Sequence, residues 1–314
     1  MNDFISTVVL EPLAPFDFER PLAAFYATHA ARTAAVPSSI GRALLGGLHA
    51  DRVAFAFAAG YRAALCALVP SRVGPDVRAT LCVTESGGNH PRAIETTLTE
   101  TDEGLLLQGQ KAFCTLADDA TLLLIAAREG ERDGRPSIRL VCVSPAQIGV
   151  VIEPLAPLRF VPEASHALLA LNTRVDPAQV LEGDGYTRYV KPFRTVEDLH
   201  VMAALSAFAW GASRRWLTAE TQALELLASI TTLGDLAGRD PSDAVTHLAL
   251  AGVLSTLPLA LTRVVEAIES HRAGSPDAMS FCERFRRDLA LLKIGDQARQ
   301  QRTLSALSRL RSGG

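Results

Sequence analysis

The chain has 314 residues, of which 48% are hydrophobic and 21% carry a charge. A chain of this size and composition buries a substantial core in two or three lobes, so disorder and a fibrous fold are excluded. Its 31 Lys and Arg residues against 34 Asp and Glu residues give a formal net charge of −3. This balance excludes a broad basic surface of the kind that binds nucleic acid.

The N-terminal segment, residues 1–77, is rich in alanine and has helical periodicity. Pro70, Gly74 and Pro75 close this segment, because proline and glycine end regular helices. We therefore predict an N-terminal helical domain. Its helices are expected over 21–35, 38–49 and 51–68.

From residue 78 the pattern changes to short apolar or alternating stretches separated by turn-forming residues. The sequence TDEG at 101–104 is typical of a hairpin connection. Short strands at this spacing indicate a small antiparallel β-barrel or a sandwich. Of these we predict the barrel, as a central β-barrel domain over 78–182. The strands are expected over 79–84, 94–100, 105–113, 122–127, 138–143, 150–152 and 166–175.

The last segment, residues 183–314, returns to helical periodicity. Long helices are predicted over 196–224, 243–272 and 280–310, the last with a possible break near Gly295. Long helices with short connections indicate an antiparallel bundle. The predicted fold class is therefore α+β, in the order helical block, small antiparallel β-barrel and C-terminal helical bundle.

Several features bear on where the protein works. Its five cysteines are dispersed in apolar segments without CxxC spacing, which is typical of buried thiols in a reducing compartment. Its seven histidines also lack metal-binding spacing, so we predict no metal site. The first residues do not resemble a secretory signal. The apolar run at 248–261 is too short to span a bilayer and contains Pro258. We therefore expect a cytoplasmic protein without a membrane segment.

The stretch CVTESGGNHP, at 82–91, lies between an apolar strand and an alternating one. Its glycines permit backbone angles closed to other residues, and Asn and Pro favour turns. Taken alone, the stretch favours a β-turn. The same residues also suit a loop whose backbone approaches a ligand closely, and the stretch itself does not decide between the two.

Two segments of the β region resemble the acyl-CoA dehydrogenase family of flavoproteins. The stretch at 82–91 is similar to the C-x-T-E-P-G-A-G-S-D loop of the family, whose backbone and hydroxyls contact the flavin and the acyl thioester. The sequence LQGQKAFCT, at 107–115, resembles N-G-Q-K-x-W-I-T, whose aromatic residue and final hydroxyl lie beside the flavin ring. The resemblance implies a cofactor-binding set of Cys82, Thr84, Glu85, Gly87, His90, Phe113 and Thr115, with His90 replacing a ligand-binding Ser.

Two further segments extend the resemblance to about residue 310. The segment from Leu155 to Tyr186 is similar to the family sequence that closes the β domain and enters the bundle. The segment from Arg284 to Leu307 resembles R-L-x-R-D-x-x-x-x-x-I-x-E-G-T, in which the Glu is the catalytic base of many members. Without a gap, Asp296 falls on that Glu, and Gln297 follows it in place of Gly.

The resemblance implies α,β-dehydrogenation of an acyl-CoA with FAD as the hydride acceptor. A carboxylate removes the α proton, and an apolar pocket raises the pKa of such a base towards neutrality. Asp296 is one candidate, although its side chain is one methylene shorter than Glu. Glu197 is the other, because FRTVEDLHVMAAL resembles the branch with its base on the first bundle helix. Either carboxylate could instead lie on a solvated helix surface.

Two departures from the family bear on FAD binding. The stretch LLASITTLGDLAGRD, at 226–240, lacks an Arg that reaches the FAD diphosphate in the family, and the Q-x-x-G-G-x-G-Y loop is absent. A partner chain could supply both devices, so we expect a homodimer or a heteromer with a longer homologue. The alternative function is a non-catalytic subunit or an acyl-thioester-binding protein that does not bind FAD independently.

Overall fold

The structure is a computed structural model that describes residues 4–217 and 223–312. Within these residues there are nine α-helices and seven β-strands. The helices are α1 (Phe4–Leu10), α2 (Leu22–Thr33), α3 (Ser39–Leu48), α4 (Val53–Leu68), α5 (Lys191–Trp216), α6 (Leu224–Leu236), α7 (Ala244–His271), α8 (Pro276–Asp288) and α9 (Asp296–Arg311). The strands are β1 (Ala79–Cys82), β2 (Thr97–Thr101), β3 (Gly104–Thr115), β4 (Leu122–Arg132), β5 (Arg135–Val143), β6 (Val150–Pro154) and β7 (His166–Val175).

The chain divides into two compact units. Unit 1 contains Met1–Ala64, Arg159–Glu163 and Thr195–Gly314, and unit 2 contains Leu65–Leu158 and Ala164–Arg194. Unit 1 is helical, whereas unit 2 carries the sheet. The three domains predicted at 1–77, 78–182 and 183–314 follow changes of composition along the chain, and those boundaries stay a prediction.

Close packing of backbones organises the core of unit 1. A Cβ atom added to Gly47 of α3 would lie 1.9 Å from the carbonyl oxygen of Ala204 of α5. A Cβ atom added to Gly60 of α4 would lie 2.6 Å from the Cα atom of Val201. Helices approach this closely only where one side lacks a side chain. Both glycines therefore let α3 and α4 pack directly on α5.

The sheet of unit 2 is mixed and open, curled into a half-barrel, and this corrects the predicted small antiparallel barrel. The strand order is β1-β4-β2-β3-β7-β6, with β5 paired along the opposite edge of β4. β1 pairs with β4 in parallel, from Ala79 opposite Leu122 to Cys82 opposite Ile125. The chain makes a crossover through β2 and β3 between these two strands, and a crossover produces parallel neighbours. The predicted hairpin at 101–104 is present, with Thr101 opposite Gly104.

The helix predictions are confirmed in outline, with corrections at the ends of the bundle helices. α2, α3, α4 and α7 lie where the periodicity placed them. The helix predicted over 196–224 corresponds to α5, which begins earlier and ends at Trp216. Part of the predicted range lies outside the described residues, and α6 is a separate helix. The break near Gly295 is confirmed, since this residue has φ +80 and separates α8 and a short 3₁₀ turn from α9. α1 was not predicted.

The apolar run at 248–261 forms part of the longer helix α7, which continues through Pro258. By length and composition alone, α7 is the one helix of the described residues that could cross a membrane, with a mean hydropathy of 1.8 over its most apolar window. The core helices of soluble proteins also reach such values. Pro258 is tolerated in the helix, and its carbonyl accepts a hydrogen bond from Thr262 Oγ1 at 2.9 Å.

We expect Gly47→Ala to lower the free energy of unfolding by about 1–3 kcal/mol, because the added methyl overpacks the contact between α3 and α5. The matched control is Gly252→Ala on α7, where an added Cβ meets no atom within 4 Å. The control should raise stability by about 0.5–1 kcal/mol, the usual gain for Ala over Gly in a helix. Urea unfolding followed by circular dichroism measures both. Equal stability of the two variants would contradict the close helix contact.

Candidate functional site

The stretch at 82–91 forms the predicted β-turn in unit 2. Glu85 N–H donates to the carbonyl of Gly88 at 2.9 Å, and Gly88 N–H donates back to the carbonyl of Glu85 at 2.9 Å. Gly88 has φ +104, a conformation that favours glycine. His90, exposed at the end of the stretch, accepts a hydrogen bond from Arg92 N–H at its Nδ1 atom and so caps the short helix Pro91–Ala93.

The side chain of Glu85 fastens this turn to the sheet. Its carboxylate accepts hydrogen bonds from the N–H groups of Glu95, at 2.8 Å, and Thr96, at 3.1 Å. Glu85 Oε1 also lies 2.5 Å from Lys111 Nζ on β3. The Lys111 side chain is completely buried, and its ammonium lies 3.5 Å from the carbonyl of Val83. The carboxylate of Glu85 is therefore occupied by protein groups, so contact with a ligand falls to the backbone of the turn.

Opposing effects act on the two members of this ion pair. Burial alone would raise the pKa of Glu85, but the Lys111 ammonium and the backbone N–H donors outweigh burial, and the pKa is lowered. Burial lowers the pKa of Lys111, opposed by the Glu85 carboxylate. We conclude that Glu85 is ionised at neutral pH, because its charge compensates the buried ammonium.

The exposed Phe113 ring forms an aromatic platform that is backed by the buried His166. Phe113 is 47% exposed and has φ +59, which is rare for a bulky residue. It lies at a β-bulge, where the pairing of β3 with β7 shifts between Lys111 and Cys114. The Phe113 ring stacks on His166 of β7, with 4.1 Å between ring centroids and 27° between ring planes. Strained backbone at an exposed aromatic residue is a feature of functional sites.

Two hydroxyl side chains flank this platform. Thr84 and Thr115 are both half-buried. The carbonyl of Thr84 accepts a hydrogen bond from Ala112 N–H at 2.8 Å, which places Thr84 next to Phe113. The structure thus brings Thr84, Phe113 and Thr115 to one edge of unit 2. Cys82 and Cys114 lie behind this edge and are buried.

The histidine that backs the platform is uncharged at neutral pH. Burial lowers the pKa of His166, although the nearby Asp118 carboxylate opposes this shift. His166 is therefore a neutral imidazole at pH 7, and it stacks on Phe113 as a flat, uncharged ring. Such a surface suits a flat aromatic ligand.

Unit 1 contains an apolar pocket of about 340 Å³ that has Asp296 among its lining residues. Three charged residues, Lys293, Asp296 and Arg299, interrupt this lining. The Asp296 side chain is 65% exposed and pairs with Arg299 Nη1 at 3.2 Å. The apolar part of the pocket is formed by Met202, Leu254, Leu257, Pro258, Leu289 and Leu292.

Arg299 is itself anchored by a buried carboxylate. Asp198 Oδ1 lies 2.8 Å from Arg299 Nη2, and Asp198 Oδ2 lies 2.5 Å from Arg302 Nη2. Burial lowers the pKa of Arg299, but the Asp198 and Asp296 carboxylates outweigh burial and raise it. The second base candidate, Glu197, is half-buried on α5 and is not among the residues that line this pocket.

Three residues that shape these sites were not singled out from the sequence. Lys111 belongs to the sequence LQGQKAFCT. On an alternating strand it lies on the same face as the apolar Leu107, which indicates that its side chain points inward. His166 and Arg299 gave no local signal, because their partners Phe113 and Asp198 are 53 and 101 residues away along the chain.

Comparison with known proteins is consistent with this geometry. Residues 80–168 match the family model described as acyl-CoA dehydrogenase, middle domain. No curated protein matches the chain. The FAD complex of PigA has a TM-score of 0.68 at 11% identity, covering 97% of this chain and 91% of that chain. Butyryl-CoA dehydrogenase from Megasphaera elsdenii has a TM-score of 0.65 at 13% identity, covering 93% of this chain and 90% of that chain.

A third solved structure of the same fold is the electron transferring flavoprotein of Acidaminococcus fermentans. Its TM-score is 0.62 at 14% identity, covering 85% of this chain and 81% of that chain. At these identities the likeness shows the fold. The chain has the acyl-CoA dehydrogenase fold. The resemblance predicted from the sequence, to a shortened and divergent relative of that family, is confirmed.

We expect Lys111→Met to lower the free energy of unfolding by about 3–5 kcal/mol, because it leaves the buried Glu85 carboxylate without its cation. The matched control is Arg128→Met in the same unit, which breaks the exposed pair of Arg128 with Glu131 and should change stability by less than about 1 kcal/mol. Adding Glu85→Gln to Lys111→Met should recover part of the loss, since no uncompensated charge remains. Urea unfolding measures all three variants, and equal effects of the two single changes would contradict this role of the pair.

Proposed function

We propose that the protein is a flavin-dependent oxidoreductase of the acyl-CoA dehydrogenase type. It removes hydrogen from two adjacent carbons of an acyl thioester such as an acyl-CoA. The observation that carries this proposal is the exposed Phe113 ring, held in a left-handed backbone conformation and stacked on a neutral His166. The stability of the fold does not require a strained, exposed aromatic ring at this position, whereas a flat cofactor can stack on one.

The residues of unit 2 fit the isoalloxazine ring of FAD. Phe113 offers a flat apolar face backed by the buried His166, and the half-buried Thr84 and Thr115 flank it with hydroxyls that can bond to polar edge atoms. Bound FAD would supply a hydride acceptor, which protein side chains lack. The turn at 85–88 would present backbone groups to the ligand, because its Glu85 carboxylate is already occupied.

The pocket of unit 1 supports an acyl chain as the substrate group. Its volume of about 340 Å³ is near the lower end of the range of roughly 300–1,000 Å³ for small-molecule pockets, which favours a short chain. Its lining is apolar apart from Thr262, Lys293, Asp296 and Arg299. An aliphatic chain would bury its methylenes against the leucines, and the two cations would remain near its polar end.

Asp296 is the carboxylate that we propose as the base for the α proton. It lines the acyl pocket, whereas Glu197 does not. Arg299 holds the Asp296 carboxylate at 3.2 Å and orients it. Because Arg299 also binds Asp198, its positive charge is shared between the two carboxylates. The Asp296 carboxylate can therefore accept a proton without leaving an isolated cation.

The exposure of Asp296 favours a second candidate function. A general base works best in a water-poor pocket, but the Asp296 side chain is 65% exposed. The second function is a non-catalytic subunit or acyl-thioester-binding protein that works with a longer homologue. The first function is compatible with a homodimer in the cytoplasm, and the second requires the heteromer.

We expect the isolated chain to take up FAD and to absorb between about 350 and 500 nm, where oxidised flavin is visible. Phe113→Ala should raise the dissociation constant of FAD roughly 3- to 10-fold, because aromatic stacking contributes about 0.5–1.5 kcal/mol. Phe113→Trp should keep the affinity, and Ile148→Ala, at a site 93% exposed in the same unit, serves as the control. Titration by flavin fluorescence measures each constant.

A chain that stays colourless with excess FAD would rule out the first function for the isolated protein. The second function predicts a different result. Mixed with a longer acyl-CoA dehydrogenase from its own host, the chain should form a stable complex whose FAD content comes from the longer partner, as native mass spectrometry can show.

We expect Asp296→Asn to slow flavin reduction by a short-chain acyl-CoA by about 10²- to 10⁴-fold, the usual contribution of a general base. Glu197→Gln should change the rate less than Asp296→Asn. The control is Asp277→Asn, because Asp277 is also an exposed carboxylate in the first turn of a helix, in this case α8. Anaerobic stopped-flow absorbance gives the rates. Full activity of Asp296→Asn together with loss in Glu197→Gln would reverse the assignment.

A further inference from the structure

Two buried cysteines of unit 2 lie opposite each other on neighbouring segments. Ala112 N–H donates to the carbonyl of Thr84 at 2.8 Å, and Thr80 Oγ1 donates to the carbonyl of Thr115 at 2.5 Å. These two contacts run antiparallel, and they bracket Cys82 on one segment and Cys114 on the other. β1 and β3 are not paired in the sheet, but these contacts, one on each side of the two cysteines, bring Cys82 and Cys114 close together. A disulfide joins residues whose Cα atoms are about 4.4–6.8 Å apart.

The thiols of Cys82 and Cys114 interact directly. Both residues are 1% exposed, and each thiol is the main influence on the pKa of the other. Two other buried cysteines use their thiols differently, since Cys66 donates to the carbonyl of Gly74 and Cys282 donates to the carbonyl of Val265. All five cysteines are free in the structure. The pair at 82 and 114 therefore stands out as a dithiol.

The buried ammonium of Lys111 makes the two thiols unequal. The hydrogen bond from Cys82 and the charge of Lys111 lower the pKa of Cys114. The same hydrogen bond and burial raise the pKa of Cys82. Cys114 is therefore the thiol that ionises first, with Cys82 as the neighbouring thiol that can react with it. A cation that lowers the pKa of a thiol increases its thiolate fraction, and the thiolate is the form that a peroxide oxidises.

We propose that Cys82 and Cys114 form a modification site, a dithiol that hydroperoxides oxidise to a reversible disulfide. The Cys114 thiolate attacks one oxygen of the peroxide and the O–O bond breaks, which gives Cys114 sulfenic acid and, with hydrogen peroxide, hydroxide. The hydroxide takes up the proton that the Cys114 thiol released and becomes water. Cys82 then loses its proton, its sulfur bonds to the Cys114 sulfur, and the sulfenic oxygen leaves as a second water. The two sulfurs lose two electrons in total, and the peroxide gains them.

The disulfide would join two segments that carry the Phe113 platform. Cys82 lies two residues before Thr84, and Cys114 lies between Phe113 and Thr115. Oxidation would thus link both sides of this edge covalently. The proposal itself does not depend on flavin binding, because it rests on the two hydrogen bonds that flank the cysteines, on the coupling of the thiols and on the Lys111 ammonium.

The test uses the reduced full-length chain without added flavin, treated with hydrogen peroxide while folded. The sample is then quenched in acid, alkylated in denaturant and mapped by peptide mass spectrometry without reductant. We expect the number of titratable thiols to fall from the five of the sequence to three. The peptides that carry Cys82 and Cys114 should be linked, with a loss of two hydrogen atoms, and dithiothreitol should reverse the link.

Variants separate the roles of the two thiols. Cys82→Ser should leave Cys114 as a sulfenic acid that dimedone traps, whereas Cys114→Ser should give no sulfenic acid at position 82. Cys142→Ser, a buried cysteine on β5, is the control and should still form the link. A folded wild-type chain that keeps all five thiols, or that links either cysteine to a different partner, overturns the proposal. That measurement needs no variant, so a variant that fails to fold leaves the test intact.

Discussion

The buried ion pair of Lys111 and Glu85 is the interaction on which the site of unit 2 depends. A completely buried ammonium is costly unless a counter-charge lies within contact distance, and Glu85 supplies it at 2.5 Å. The same carboxylate accepts two backbone N–H groups ten and eleven residues further along the chain. One pair therefore holds the turn at 85–88, the start of the next segment and the centre of β3 together.

The bulge that follows Lys111 changes which side chains of β3 point into the core. Along β3, Leu107 and Lys111 point inward, so strict alternation would also send Phe113 inward. The register shift between Lys111 and Cys114 changes the phase, and Cys114 points inward instead while Phe113 is exposed. Bulges redirect side chains in this way next to functional sites. The aromatic platform and the buried dithiol are thus two consequences of one extra residue in the strand.

These features show what the sequence could and could not predict. Helical periodicity identified α2, α3, α4 and α7, and the hairpin at 101–104 followed from turn residues, because both signals are local. The parallel pairing of β1 with β4 was missed, since pairing partners are distant and any short apolar strand fits several neighbours. The bulge at Phe113 was missed for a related reason, because LQGQKAFCT reads as an ordinary alternating strand unless its β7 partner is known. Of the motif residues that were named, Thr84, Phe113 and Thr115 nevertheless lie at one edge.

The carboxylates of unit 1 illustrate why residue type alone does not assign a role. Glu197 and Asp198 are adjacent on α5, yet Asp198 binds two arginines and Glu197 does not line the pocket. Arg299 connects Asp198 to Asp296, so the buried carboxylate determines how strongly the exposed one is held. The contacts of Asp296 therefore depend on Asp198, a residue that does not itself line the pocket.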